Sequence, residues 1–292
     1  MDRLRVLEPA EGVLAFYDGR VPGHRFADYP NWVDDGAISL GIASYALVVG
    51  ETALIYDTHV SAEHGRFVRE ALESLGVGDM TVVLSHWHLD HVAGTEAFAD
   101  CEVIASTRTT EHLSASREAI ESGELEGPPP IDPLVLPTRS VEGELELQLD
   151  GRPVRLITTE IHSDDATLLW LQDERLLLCG DTMEDTVTYV DEPERLDVHL
   201  ANLAELRNLG ARRILPNHGD PATISAGGYE TGFIEDTSEY IERLLRCGSD
   251  PELCNLSLRE FVADLLEQGQ INYFEPYERV HEQNVERVLA RA

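Results

Sequence analysis

Lysine is missing from this 292-residue chain: all 22 basic side chains are arginine, and they face 55 aspartates and glutamates for a formal net charge of −33. A surface this poor in cations repels phosphate backbones and anionic headgroups, so neither nucleic acid nor a membrane is an expected partner at ordinary ionic strength. At molar salt the Debye length falls to ~3 Å and the self-repulsion is screened. The composition therefore fits adaptation to a salty, halophilic cytoplasm. A GC-rich genome would explain the absent lysine codons but not the carboxylate excess. Cysteine is scarce as well. Cys101, Cys179, Cys247 and Cys254 lack CxxC spacing, and although Cys247 and Cys254 could bridge across a Gly-Ser-Asp-Pro turn, free thiols are the expectation. Nowhere do ~18 apolar residues run together, and the N-terminal stretch has no signal-peptide core, so a soluble, cytoplasmic location is expected.

What is present is the profile of an ordered globular protein, with 42% apolar and 26% charged residues. Short apolar runs read as strands at Val13–Phe16, Tyr45–Val49, Ala53–Tyr56, Thr81–Leu84, Val103–Ile104, Leu145–Leu149, Val154–Ile157, Thr167–Leu171 and Leu176–Cys179. Helical spacing appears at Ser61–Leu75, where the serine can cap, and at Glu192–Leu209. Strands in two blocks, each followed by helix, suggest two packed sheets with helices outside. The proline-rich segment Glu124–Pro137 reads as a surface connection between the halves, and from Tyr229 onward the pattern turns helical.

The chemistry concentrates in Ser85-His86-Trp87-His88-Leu89-Asp90-His91, directly after a strand-like run. Three imidazoles and a carboxylate in six positions can serve two adjacent cations, because His86 and His88 project to one side of an extended loop while Asp90 and His91 turn to the next. Imidazole with carboxylate suits zinc, or iron and manganese.

This HxHxDH segment resembles the hallmark of the metallo-β-lactamase-fold hydrolase superfamily. Asp57 in Leu54-Ile-Tyr-Asp57, His162 in Glu160-Ile-His162-Ser, Asp181 in Cys179-Gly-Asp181-Thr and His218 in Pro216-Asn-His218-Gly match the superfamily's other motif positions in order. The resemblance implies an α/β (α+β) fold: an αββα sandwich of two mixed sheets with helices outside. It would occupy residues 1–228, with a helical extension over 229–292 packed on the same domain. It also implies two Zn2+ ions (or Fe or Mn), one on His86, His88 and His162, a second on Asp90, His91 and His218, with Asp181 bridging and Asp57 behind the ligands. Two cations sharing one oxygen would supply hydroxide at neutral pH and polarise a scissile carbonyl. Asp90 and His218 are the candidate catalytic groups, Asp90 as the one that orients or shuttles the proton.

The expected activity is hydrolysis of a small ester, lactone, thioester or amide. Glyoxalase II-type thioesterases share the bridging Asp but usually add a basic C-terminal cluster, whereas here Arg243, Arg246 and Arg259 are scattered among acids. True β-lactamases of the superfamily commonly carry Cys or Ser at the position of Asp181. A mononuclear iron dioxygenase of the same fold would use fewer ligands, and a non-catalytic metal-binding module would usually have lost some. A small molecule is the expected partner, and a homodimer is left open. Trp32, Trp87 and Tyr189 are aromatic candidates for the substrate pocket, with the stretch His24–Trp32 a candidate flap.

From the −33 charge, thermal melts from low to molar KCl should show the melting temperature rising as surface charges are screened. A flat or falling series would leave codon usage as the explanation of the composition.

Overall fold

Strands that are apolar throughout lie in the middle of this molecule, and strands with one polar face lie at its rims. The computed structural model describes residues 4–291. Among these, seven strands form the first sheet in chain order: β1 (Arg5–Ala10), β2 (Val13–Asp18), β3 (Ile42–Val49), β4 (Thr52–Tyr56), β5 (Asp79–Val83), β6 (Glu102–Ser106) and β7 (Arg139–Val141). The second sheet has the order β12 (Arg213–Pro216), β11 (Leu176–Gly180), β10 (Thr167–Leu171), β9 (Arg152–Thr158), β8 (Glu144–Leu149). Both are mixed. β1 to β4 pair antiparallel and β4 to β7 parallel, while β8 to β11 pair antiparallel and β11 with β12 parallel.

β10 (TLLWL) and β11 (LLLCG) are buried at every residue, because the first sheet covers one face and helices the other. Edge strand β8 (ELELQL) instead alternates exposed and half-buried side chains. The chain crosses between sheets at Glu142-Gly143, between β7 and β8. The proline-rich segment after Glu124 does not join the halves, contrary to the sequence reading; it precedes β7 and so stays within the first sheet's half, with Ile131 and Leu134 buried.

Helices α1 (Ala62–Ser74), α2 (Leu89–Val92) and α3 (Thr107–Ser122) share an apolar cluster with the outer face of the first sheet, through Val68, Leu72, Val92, Leu113 and Ile120. Ser61 caps α1 by accepting from the His64 amide. A second cluster fills the space between the sheets and continues under α4 (Leu196–Leu209), α5 (Pro221–Ser225) and α6 (Gly232–Cys247). It also takes in α8 (Leu258–Phe261), α9 (Ala263–Gln268) and α10 (Tyr277–Ala290), which follow the short α7 (Pro251–Cys254). Tyr240, Phe261 and Val285 thus belong to the same apolar body as Leu177 and Leu215. The result is an αββα sandwich with further helices behind its second sheet.

Three buried tyrosines on the inner face of the first sheet fix the spacing of the layers. Tyr56 donates to the Thr167 carbonyl at 2.6 Å, Tyr45 to the Pro216 carbonyl at 2.5 Å and Tyr17 to the Gly219 carbonyl at 2.8 Å. A buried phenol must place its hydrogen somewhere, and two of these bonds grip the last residue of β12 and the turn that follows it. The outer layer is held just as closely. An added Cβ on Gly94 would stand 1.9 Å from the Thr58 carbonyl oxygen, and one on Gly65 of α1 would stand 2.3 Å from the Gly94 oxygen.

Gly94→Ala therefore drives a methyl into backbone that has no free rotor to yield. The expected cost is at least ~2 kcal/mol, in the upper part of the overpacking range, visible as a lowered denaturant midpoint. A midpoint equal to that of the parent protein would show that this contact is looser than the geometry implies.

Candidate metal centre

The loops that follow strand ends converge on one crevice, as expected outside the carboxyl ends of parallel strands. β4 delivers Asp57, β5 delivers His86 and His88, β11 delivers Asp181 and β12 delivers His218. His88 has extended backbone just before α2, whose first turn then carries Asp90 and His91. Helical winding after an extended stretch is what parts this segment into two ligand pairs. His162 comes from the connection between β9 and β10, with φ +72, and Asp57 has φ +64; both occupy the left-handed region that side chains other than glycine seldom adopt.

The seven residues form two groups. His86, His88 and His162 offer ligand atoms all within 4.8 Å of one another, and so do Asp90, His91, Asp181 and His218. Asp181 Oδ2 lies 3.0 Å from His91 Nε2, 3.4 Å from His218 Nε2 and 3.7 Å from His86 Nε2. One carboxylate oxygen therefore reaches both groups.

Hydrogen bonds behind the rings decide which nitrogens face inward. Ser85 Oγ donates to Asp57 at 2.6 Å and so accepts from His86 Nδ1 at 2.9 Å. His91 Nδ1 donates to Asp57 Oδ2 at 2.9 Å, His162 Nδ1 to the Tyr189 carbonyl at 3.0 Å and His218 Nδ1 to the Gly41 carbonyl at 2.8 Å. Each of these four rings keeps its Nε2 for the centre, the arrangement by which outer partners fix the tautomer of a metal-binding imidazole. His88 is reversed: its Nδ1 faces His162 at 3.1 Å while Nε2 lies 3.5 Å from Asp191. His86 Nε2 and Asp181 Oδ1 are buried without any hydrogen-bond partner among the described residues. Such orphans cost free energy unless something pairs with them, and imidazole nitrogens with carboxylate oxygens are the donor set of a borderline divalent cation. The residues fit a metal.

For two of the imidazoles and for the carboxylates the electrostatics agree. Burial, together with neighbouring imidazoles, pushes His86 well down and His162 to about 4, so their lone pairs stay free of protons. Burial also disfavours protonation of His88, but Asp191 outweighs it and raises His88 to about 9. Burial would raise the carboxyls, yet adjacent imidazoles hold Asp181 well below the usual carboxylate range and Asp90 at about 2. The carboxylates are thus ionised at neutral pH.

Above the centre lies a cavity of about 680 Å3. His88, Asp90, His162, Asp181 and His218 contribute to its floor; Trp32, Asp35 and Leu40 line one side, and Val280, Gln283 and Arg287 of α10 line another. Trp32 is held by its indole N–H donating to the Pro129 carbonyl at 2.9 Å, so it is a fixed wall of the stretch read as a flap. Tyr189 lines the cavity; Trp87 does not, its ring lying 5.2 Å from that of His112.

Several residues were invisible to sequence reasoning. Ser85 and Asn217, each directly before a candidate ligand, both donate to Asp57. Glu184, buried beside the floor and raised to about 7 by burial and by Asp181, accepts from the Tyr189 amide and the Tyr277 hydroxyl. His24, His59 and His64 lie outside both groups, with His24 and His64 bonded to Asp18.

Residues 39–253 match the family model described as the Metallo-beta-lactamase superfamily. Over 70% of its length the chain is 28% identical to the "Beta-lactamase-like protein 2 homolog" of Caenorhabditis elegans, spanning 62% of that protein. Over 48% of its length it is 28% identical to the "Atrochrysone carboxyl ACP thioesterase" of Aspergillus fumigatus, spanning 38% of it. The chain thus spans less than two thirds of these curated relatives. Among solved structures, the DIM-1 metallo-beta-lactamase superposes with a TM-score of 0.60 at 17% identity, over 82% of this chain and 97% of that one; at that identity the likeness speaks for the fold.

Two ligand groups with a shared oxygen lead us to expect about two divalent metals per chain, measured by elemental analysis of protein purified without chelator. One firmly held iron with oxygen consumption would point instead to dioxygenase chemistry.

Proposed function

The chain belongs to the metallo-beta-lactamase superfamily, and from that premise we propose that it hydrolyses a small ester, lactone, thioester or amide with two divalent cations, zinc by donor chemistry, held at the centre described above. The observation that carries the proposal is the position of Asp181 Oδ2, within 3.7 Å of ligand atoms from both groups. His86, His88 and His162 would hold one cation and Asp90, His91 and His218 the other, with Asp181 between them. Bound there, the cations would lower the pKa of bound water toward ~7 and polarise the scissile carbonyl.

The chain's own part is to position and to move a proton. Asp90 lies at the floor of the cavity with Oδ2 3.1 Å from His218 Nε2, and an ionised carboxylate there can orient the attacking water and accept its proton. His218 is kept in place by the Gly41 carbonyl behind it. Trp32, Leu40 and Val280 give the cavity apolar lining against which an acyl group can pack, and the volume of about 680 Å3 suits a small molecule. Within the class, the thioester reading gains support from the similarity to a protein named as an ACP thioesterase. The filled set of seven ligand positions favours hydrolysis over single-iron chemistry.

A panel of thioesters, lactones, phosphodiesters and β-lactams tests this, with thioester or ester turnover expected and β-lactam turnover poor. In Asp181→Ala the second cation should be lost far more readily than the first, because the first keeps three imidazoles. Hydrolysis should fall by at least ~10²-fold, the usual consequence of losing one strong electrostatic stabiliser. Retention of both metals and near-normal turnover would return Asp181 to the role of a turn residue.

A further inference from the structure

The cavity's floor comes from residues within the superfamily match, whereas the wall made by α10 lies beyond residue 253, outside that match. We propose that this wall receives a carboxylate carried by the substrate, that Arg279 binds it, and hence that the substrate is an acyl ester or thioester whose acyl chain ends in a negative charge. The inference rests on the hydrolase reading above.

Two arginines line the cavity, Arg279 and Arg287. Arg287 is already committed: its Nη1 donates to the Asp191 carbonyl at 3.0 Å, and its guanidinium lies 4.8 Å from the centroid of the Tyr189 ring. Arg279 has no hydrogen bond, ion pair or aromatic partner among the described residues. Its side chain is exposed at the cavity rim, and in a chain of net charge −33, where Arg66 pairs with Glu96 and Arg117 with Glu121, it is left free to meet a ligand. The acid next to Arg279 in sequence, Glu278, is itself spent on the Leu258 and Arg259 amides and the Tyr273 hydroxyl.

The overall field opposes any anionic substrate, so a local cation is what could seat one; a neutral substrate has no use for it. Gln283, one turn further along the same face, offers an amide donor beside the guanidinium, and Val280 between them offers apolar surface for an alkyl chain. Asp35 and Glu126, which also line the cavity, belong to segments other than α10, so the arginine cations of this lining come from α10 alone. One unpaired guanidinium matches a singly charged carboxylate in bidentate fashion; a phosphate dianion among these acids would call for more cations.

The test compares the glutaryl and pentanoyl thioesters of N-acetylcysteamine, equal in acyl length and different in the terminal carboxylate, on the metal-loaded protein. We expect a higher kcat/KM for the glutaryl ester. In Arg279→Ala the glutaryl-to-pentanoyl ratio should fall about 10-fold, as for loss of one charge-assisted contact, with the change carried by KM; Arg279→Glu should invert the preference. A ratio that stays constant, or losses shared equally by both esters, overturns the proposal. Calorimetric titration with glutarate, pentanoate and inorganic phosphate reads binding independently of turnover. Glutarate bound more tightly than pentanoate, with the difference lost in Arg279→Ala, supports the carboxylate site even where neither thioester is cleaved, an outcome that would sink the hydrolase reading alone. Phosphate bound more tightly than glutarate would replace the carboxylate by a phosphate-bearing substrate and overturn the assignment.

Discussion

The fully buried carboxylate of Asp57 is the tie on which this site depends. It accepts from the Ser85 amide and the Asn217 side chain at 2.6 Å each, from the Ser85 hydroxyl at 2.6 Å and from His91 Nδ1 at 2.9 Å. A carboxylate can accept about four hydrogen bonds, and this one does, three of them on Oδ2 and one on Oδ1. Through them one side chain at the end of β4 fixes the segment after β5, the ring of His91 and the turn after β12. The two sheets meet at that point. Ala43 donates to the Asn217 carbonyl and the Asn217 amide to the Gly180 carbonyl, so the turn carrying His218 is stitched to both layers. A buried charge without these donors would cost several kcal/mol, which explains why Asp57 tolerates a left-handed backbone to reach them.

Much of this was legible in the sequence wherever a signal was local. β10 was readable to the residue because a strand buried on both faces must be apolar throughout, and α1 because Ser61 announces its start. β1 escaped notice because RVLEPA lies at an edge with Val6 exposed and a proline inside it; β7 and β12, of three and four residues, are too short for any period to show. α3 was missed because TRTTEHLSASREAIES carries few apolar residues and buries only Thr109, Leu113 and Ile120. At the site the seven candidate ligands were readable because chemistry clusters them in sequence or in motif order. The groups that orient them were not. Asn217 meets Asp57 across 160 positions, and a Ser or Asn before a His says nothing about where its hydrogen bond goes.

Floor and walls have different origins, and this bears on how the protein could differ from its relatives. The floor is built from strand ends inside the region shared with the superfamily; Trp32 and Asp35 before that region and α10 after it supply much of the wall. α10 also reaches the floor indirectly. Asn284 holds the loop after β11 by accepting from the Val190 amide and donating to the Thr188 carbonyl. Thr188 in turn donates to the Asp181 carbonyl, and the Tyr189 carbonyl receives His162 Nδ1. A helix that shapes the substrate wall is therefore also a support for one ligand of each group.

The concentration of anions gives the last step. Asp57, Asp90, Asp181 and Glu184 are gathered in and around the centre of a protein that already carries −33. Carboxylates this close repel one another, and in a buried site the repulsion is poorly screened by salt. Imidazolium from His91 and His218 can offset part of it, which is why both rings are held well above their ordinary pKa despite burial. A second proton on either ring would sit on the inward-facing Nε2, because Nδ1 already donates to Asp57 or to the Gly41 carbonyl. Divalent cations would take that position in place of a proton and supply more positive charge per site, so metal binding and the stability of this end of the sandwich should be linked. The acidic surface works in the same direction, since it draws cations toward the crevice and leaves a local arginine to select among anions.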